Sequence, residues 1–235
     1  MDALDAFNAK YRRKKLINIA LSCVTVLTGV FAVVYIFHHD NEGLLTFRWL
    51  TVDGTVLTTV LTAIVVVVNI VEFERYTEVT KSFVYMIRLS CAVTEGIIFL
   101  VVMISQLPFF SDHMHILRPD MMLMHVIIPV LTIISFIYND SPLGKFRFRW
   151  VFSGNAFAFI YALTVFTLIV TGRMSEETIP YFFMDIRRTG IVFVLSCFAI
   201  IFGIGTGLSY ALVELNRRVY WRTLSIKNAV ELFPS

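Results

Sequence analysis

Six long apolar runs constrain this chain more than any other feature of its sequence. Residues 16–37, 54–71, 121–139, 150–172 and 189–213 contain no Lys, Arg, Asp or Glu, and a further run, 89–111, carries only Glu95. A helix needs about 20 mostly apolar residues to cross bilayer hydrocarbon, and these runs have that scale. Lipid offers no partners to backbone amides and carbonyls, so only helices and closed barrels span it. The runs lack the period-two alternation of barrel strands. The expectation is an all-α fold, a bundle of six transmembrane helices near 16–37, 52–71, 87–108, 121–139, 150–172 and 189–213, forming a single domain over 1–235. The first run follows a basic segment, as a signal peptide would. Its length and its lack of a small-x-small cleavage site predict a retained helix instead.

Composition agrees. The chain is 57% hydrophobic and 16% charged, with a mean hydropathy of +0.77, whereas soluble domains carry about 25% charged residues. That excludes a soluble domain, a disordered chain and a disulfide-stapled secreted module. The cysteines, Cys23, Cys91 and Cys197, all fall inside predicted helices without metal-ligand spacing. They read as small packing residues.

The net charge of +3 matters less than its placement. If alternate connections share a side, Lys10, Arg12, Arg13, Lys14, Lys15, Arg75, Lys81, Arg88, Lys145, Arg147, Arg149, Arg217, Arg218, Arg222 and Lys227 lie together. Only Arg48, Arg118, Arg173, Arg187 and Arg188 lie opposite. This bias predicts a multi-pass protein of the cell membrane with both termini cytoplasmic. Juxtamembrane Lys and Arg serve topology and lipid headgroups, so no nucleic-acid partner is expected.

Polar residues are expensive in hydrocarbon, which makes their placement informative. In the second run Thr51, Thr55, Thr58, Thr62 and Asn69 are spaced by 4, 3, 4 and 7 residues and share a helical face. In the fourth, His125, Thr132, Ser135 and Asn139 follow a similar pattern. Interhelical hydrogen bonding is the plain role for most of these. Thr51, Asp53 and His125 differ, because they fall at similar depth just beneath the outer interface. An imidazole there can serve as general base to a hydroxyl, with Thr51 as nucleophile and Asp53 orienting the ring.

The strings carrying these residues have a further meaning. Phe47-Arg48-Trp49-Leu50-Thr51-Val52-Asp53-Gly54-Thr55 resembles the aromatic-x-Thr-x-x-small-Asn opening of a helix in a family of six-helix membrane proteins. His125-Val126-Ile127-Ile128-Pro129-Val130-Leu131 resembles that family's second signature, a His followed four residues later by Pro. The family includes the animal androgen-induced membrane hydrolases, threonine hydrolases of fatty acid esters of hydroxy fatty acids, and the wording here is similar to its bacterial branch. The resemblance implies a lipid-ester hydrolase without cofactor or metal, acting on a membrane lipid or fatty acyl ester, with Thr51 and His125 as the catalytic pair. One departure is Thr55, where the family often has Asn; if that Asn stabilises an oxyanion, the Thr55 hydroxyl would have to take its place.

Other features compete for a role. Glu95, mid-span, with Asn69, Thr58, Thr62 and Thr132, could line a substrate pocket or proton path, which points to a small transporter or channel-like protein. No inverted repeat or matched pair of broken helices supports that case. A non-catalytic scaffold is the third alternative. His38, His39, His113, His115 and His125, with Asp40, Asp112 and Asp53, could hold zinc, but neither loop has the i, i+4 His spacing, and His38–Asp40 and Asp112–His115 read as polar loop residues. Gly203 and Gly207 form a small-x-x-x-small face suited to packing in the bundle or to a homodimer. Pro129 should kink its helix and free the His125 carbonyl.

Overall fold

A computed structural model describes residues 3–39, 42–75, 82–106, 118–139 and 148–231. The expected Asp40, Asp112, His113 and His115 lie outside them, as do Lys81, Lys145 and Arg147. Every regular element among the described residues is helical, and six helices are long and apolar enough to cross a membrane. The protein is an all-α, six-helix membrane protein.

Helix α1 is Ala3–His39 and α2 is Leu50–Arg75, joined through a 3-10 turn at Gly43–Arg48. Helix α3 is Ser82–Val101, continued by a π turn at Val102–Gln106. Helix α4 is built of Pro119–Met122, a π turn at Leu123–Ile127, and Ile128–Asn139. Helix α5 opens as a 3-10 stretch, Phe148–Asn155, and continues as Ala156–Val170. Helix α6 is Ile191–Glu231.

Two helices outrun their apolar segments. Helix α1 begins well before residue 16 and α6 continues well past 213. Leaving the hydrocarbon ends a span but not a helix, because Ala, Lys, Arg and Glu keep good helix propensity in water. The 3-10 opening of α5 was also not expected. There Ser153, Gly154 and Asn155 are weak helix formers, and Ser209 of α6 donates to the Val151 carbonyl at 2.7 Å. Gly154 is needed, because a Cβ would stand 2.4 Å from the Ser209 hydroxyl oxygen.

Helix α3 is the centre of the bundle: every residue from Arg88 to Ile98 is buried, and α2, α4, α5 and α6 all pack on it. Its core includes Leu89, Val93 and Ile97 with Phe136 of α4 and Leu212 of α6. In lipid, helix association rests on close packing and interhelical hydrogen bonds, each worth about 0.6 kcal/mol. Asn216 donates to the carbonyls of Phe136 and Ile137 at 3.2 and 3.1 Å, and Asn155 to Thr206 Oγ1 at 2.8 Å. Arg88 is not at the interface, as its place in the charge count suggested, but inside, donating to Ser135 at 2.9 Å and Thr62 at 3.5 Å. Lys15, likewise buried, pairs with Glu72 and reaches Asn69 at 3.3 Å.

The expected close approach at Gly203 and Gly207 is not made within the bundle. Nothing lies within 4 Å of a Cβ at either, whereas at Gly205 a Cβ would stand 2.0 Å from Asn155 Oδ1. Gly205 is the contact glycine of α6, and the Gly203/Gly207 face points outward.

Candidate active site

The site lies at the end of the bundle where α2 and α4 begin. Trp49 is extended, and its carbonyl accepts the first helical hydrogen bonds of α2, from Val52 at 3.1 Å and Asp53 at 3.2 Å. Thr51 therefore sits in the first turn of α2. Tyr161 of α5 holds this turn by donating to the Arg48 carbonyl.

On α4, Pro129 has no amide to offer the His125 carbonyl, and its ring would crowd that carbonyl in a regular helix. The chain relieves this with a wide turn, in which Ile128 N donates to the Leu123 carbonyl five residues back. Such π turns occur often at functional sites, and this one contains His125. Its Nδ1 lies 2.9 Å from the Met121 carbonyl, and its Nε2 lies 3.4 Å from Thr51 Oγ1. A carbonyl only accepts, so Nδ1 carries the hydrogen and the lone pair of neutral His125 is at Nε2, facing the threonine hydroxyl.

Thr51 and His125 line a cavity of about 490 Å³, a size within the range of small-molecule sites. Its walls are largely apolar, with Ile97, Ile98 and Val101 of α3, Met124 of α4, Ala158 of α5, and Phe198 and Phe202 of α6. The polar lining includes Glu42, Arg118 and Asp120. Arg118 grips the buried Asp120 with two bonds of 2.7 and 2.6 Å, and Arg48 pairs with Glu42 at 2.7 Å. The 171–190 connection adds Pro180, Tyr181, Phe182, Phe183 and Met184 to the wall. Burial pushes the Tyr181 phenol up to about 12.

Two expected roles need correction. Asp53 does not orient His125, because both ring nitrogens are engaged elsewhere, by Thr51 and the Met121 carbonyl. Thr55 is fully buried a turn below Thr51, with an unpartnered hydroxyl, and does not line the cavity. Ahead of Pro129 the helix takes a π turn, Leu123–Ile127, which contains His125 of the cavity wall.

The remaining candidates form a separate interior group. The carboxyl of Glu95 has no hydrogen-bond partner on either oxygen, and the hydroxyls of Thr58, Thr94 and Thr132 are likewise unpartnered. Thr62 serves Arg88, and Asn69 serves Lys15 nearer the opposite end. Among the described residues no three His, Cys, Asp or Glu side chains cluster as metal ligands. His38 and His39 end α1 with ring centroids 5.4 Å apart.

Residue order gave no sign of Met121, Arg118, Asp120, Tyr161 or Tyr181. These reach the site through a backbone carbonyl or through connections whose packing no periodicity encodes.

No protein-family model matches the chain, and no curated protein and no solved structure matches it. Fold and span count make it a multi-pass membrane protein.

Proposed function

We propose that this protein hydrolyses a lipid ester within the membrane, with Thr51 as nucleophile and His125 as general base. The observation that carries the reading is the approach of Thr51 Oγ1 to the lone pair of His125 Nε2, at the wall of a mainly apolar cavity. The likeness of the two strings to the androgen-induced hydrolases points the same way. Thr51 Oγ1 attacks the ester carbonyl and passes its proton to Nε2. The tetrahedral intermediate collapses, and the alcohol oxygen leaves with that proton. Water then attacks the acyl–threonine ester, again giving its proton to Nε2, and the carboxylic acid is released as Thr51 recovers its hydrogen. The cavity takes the acyl chain and the polar rim takes the ester, near the outer leaflet of the cell membrane if the basic bias sets orientation. The test is turnover of a p-nitrophenyl acyl ester series by purified protein, with loss in Thr51→Ala and His125→Ala.

A second reading, a small proton-coupled transporter, is favoured by one observation, the unpartnered carboxyl of Glu95 amid unpartnered hydroxyls. Proton flux in proteoliposomes that disappears in Glu95→Gln would favour it.

A further inference from the structure

The cavity beside Thr51 and His125 has two parts of different chemistry. Helices α2 and α4 line it only at their starts, no further in than Val52 and His125. Helices α3, α5 and α6 carry it deeper, each with one face: Ile97 and Val101 on α3, Ala158 and Ala162 on α5, Phe198 and Phe202 on α6. Each pair is four residues apart, the spacing of neighbours on one helical face, so this inner arm is about 6 Å deep. Among the described residues, these three helices give it a hydrocarbon wall apart from Tyr161, whose hydroxyl donates to the Arg48 carbonyl at the start of α2.

The arm is blind. Helices α3 and α5 run toward the site end and α6 runs away from it, so Ile97, Ala158 and Phe202 are its deepest residues. Just below them the three helices touch. A Cβ at Gly205 would stand 2.9 Å from Ile97 Cδ1 and 2.0 Å from Asn155 Oδ1. Asn155 Nδ2 also donates to the Phe202 carbonyl at 3.2 Å and to Thr206 Oγ1 at 2.8 Å. These contacts close the floor, and Ile97 and Ala158 belong to the packed core beneath it. The open end is fixed by Gly54, where a Cβ would stand 3.1 Å from Ile98 Cδ1. Thr51 lies three residues nearer the mouth, so its hydroxyl stands at the top of the arm.

We infer that this protein selects lipid esters whose acyl group is of short or medium length, with Ala158, Ala162 and Phe202 setting the limit. This rests on the hydrolase reading. With the ester carbonyl at Thr51, the acyl chain follows the hydrocarbon wall down the arm. Each methylene buried there is favourable, whereas a polar substituent would lose its water without gaining a partner. The acyl chain of a bilayer lipid extends through one leaflet, about 15 Å of a hydrocarbon core about 30 Å thick. That is more than twice the depth of the arm, and the contacts of Gly205 with Ile97 and Asn155 stop a chain at its floor. A long chain has to fold back or stay in the mouth, and either loses the wall contacts that a shorter chain makes. The two alanines are the small residues of the α5 face, so a larger side chain at either projects into the arm.

The test uses the full chain in nanodiscs with p-nitrophenyl acetate, butyrate, hexanoate, octanoate and palmitate, comparing wild type with Ala158→Leu, Ala162→Leu and Phe202→Leu. In wild type, kcat/KM should rise about fourfold for each methylene the arm buries and peak at or before octanoate. At palmitate it should fall by about tenfold or more. Ala158→Leu and Ala162→Leu should both move the peak to shorter esters, and Ala162→Leu further, because it fills the arm nearer Thr51. Phe202→Leu deepens the floor and should move the peak to longer esters. Each variant is read as a ratio to wild type for the same ester, which cancels partitioning into the disc, and its melting temperature checks folding. Ala162 is only partly buried, so Ala162→Leu and Phe202→Leu carry the test if Ala158→Leu does not fold. Palmitate turned over as well as octanoate, or variants that slow every ester by the same factor, overturns the inference and leaves the hydrolase reading standing. Wild-type protein that cleaves no ester of the series and takes no fluorophosphonate label overturns both.

Discussion

Thr51 Oγ1 stands 3.4 Å from His125 Nε2 across 74 residues of sequence. Both side chains are buried, and the other ring nitrogen of His125 is held by the Met121 carbonyl of its own helix. The wide turn imposed by Pro129 makes this orientation possible. A regular helix would leave the proline ring against the His125 carbonyl.

This geometry fixes the tautomer. With His38, His39, His113 and His115 replaced by Gln, ¹⁵N spectra of His125 at neutral pH should show a protonated Nδ1 and a bare Nε2. A protonated Nε2 would leave Thr51 without a base.

The Lys15–Glu72 pair joins α1 to α2 inside the bundle. Breaking a buried pair strands one charge and costs about 3–5 kcal/mol, whereas replacing both partners by apolar residues is close to neutral. Lys15→Met and Glu72→Met should each lower the unfolding midpoint sharply, and the double variant should recover most of the loss. Additive losses would mean that each side chain acts through other partners.

Glu95 separates the two functional readings. Glu95→Gln should leave ester turnover within about threefold of wild type. Glu95→Met removes two unpartnered oxygens and should raise stability by about 1–3 kcal/mol, the usual cost of such groups. A marked loss of stability, with loss of proton flux, would instead make the carboxyl a working part of a polar path.

The glycines of α6 differ in what surrounds them. Gly205→Ala drives a methyl group into Asn155 and should cost about 1–3 kcal/mol. Gly203→Ala and Gly207→Ala meet open space and should shift the monomer by less than about 0.5 kcal/mol. If the outward face joins two copies, the latter pair should weaken the dimer in crosslinking without unfolding either copy.

The six spans were legible because lipid imposes length and apolarity together. The depth match of Thr51 and His125 followed from helical rise alone. Hydropathy could not show that α3 is central, since a lipid-facing helix and a core helix are equally apolar. It also missed the inward turn of Arg88, whose partners Thr62 and Ser135 come from two other helices. Asp53 was misassigned because proximity in sequence to Thr51 says nothing of where its carboxyl points. Met121 was invisible for another reason: its contribution is a backbone carbonyl, freed for His125 by local geometry.

The most direct measurement is fluorophosphonate labelling of purified, folded protein, with the adduct mapped by mass spectrometry. The account predicts one adduct on Thr51, absent in Thr51→Ala and slowed by about 10²–10⁴-fold in His125→Ala, the span expected when a general base is removed. Folded wild-type protein that takes no label, or takes it elsewhere than Thr51, would contradict the account.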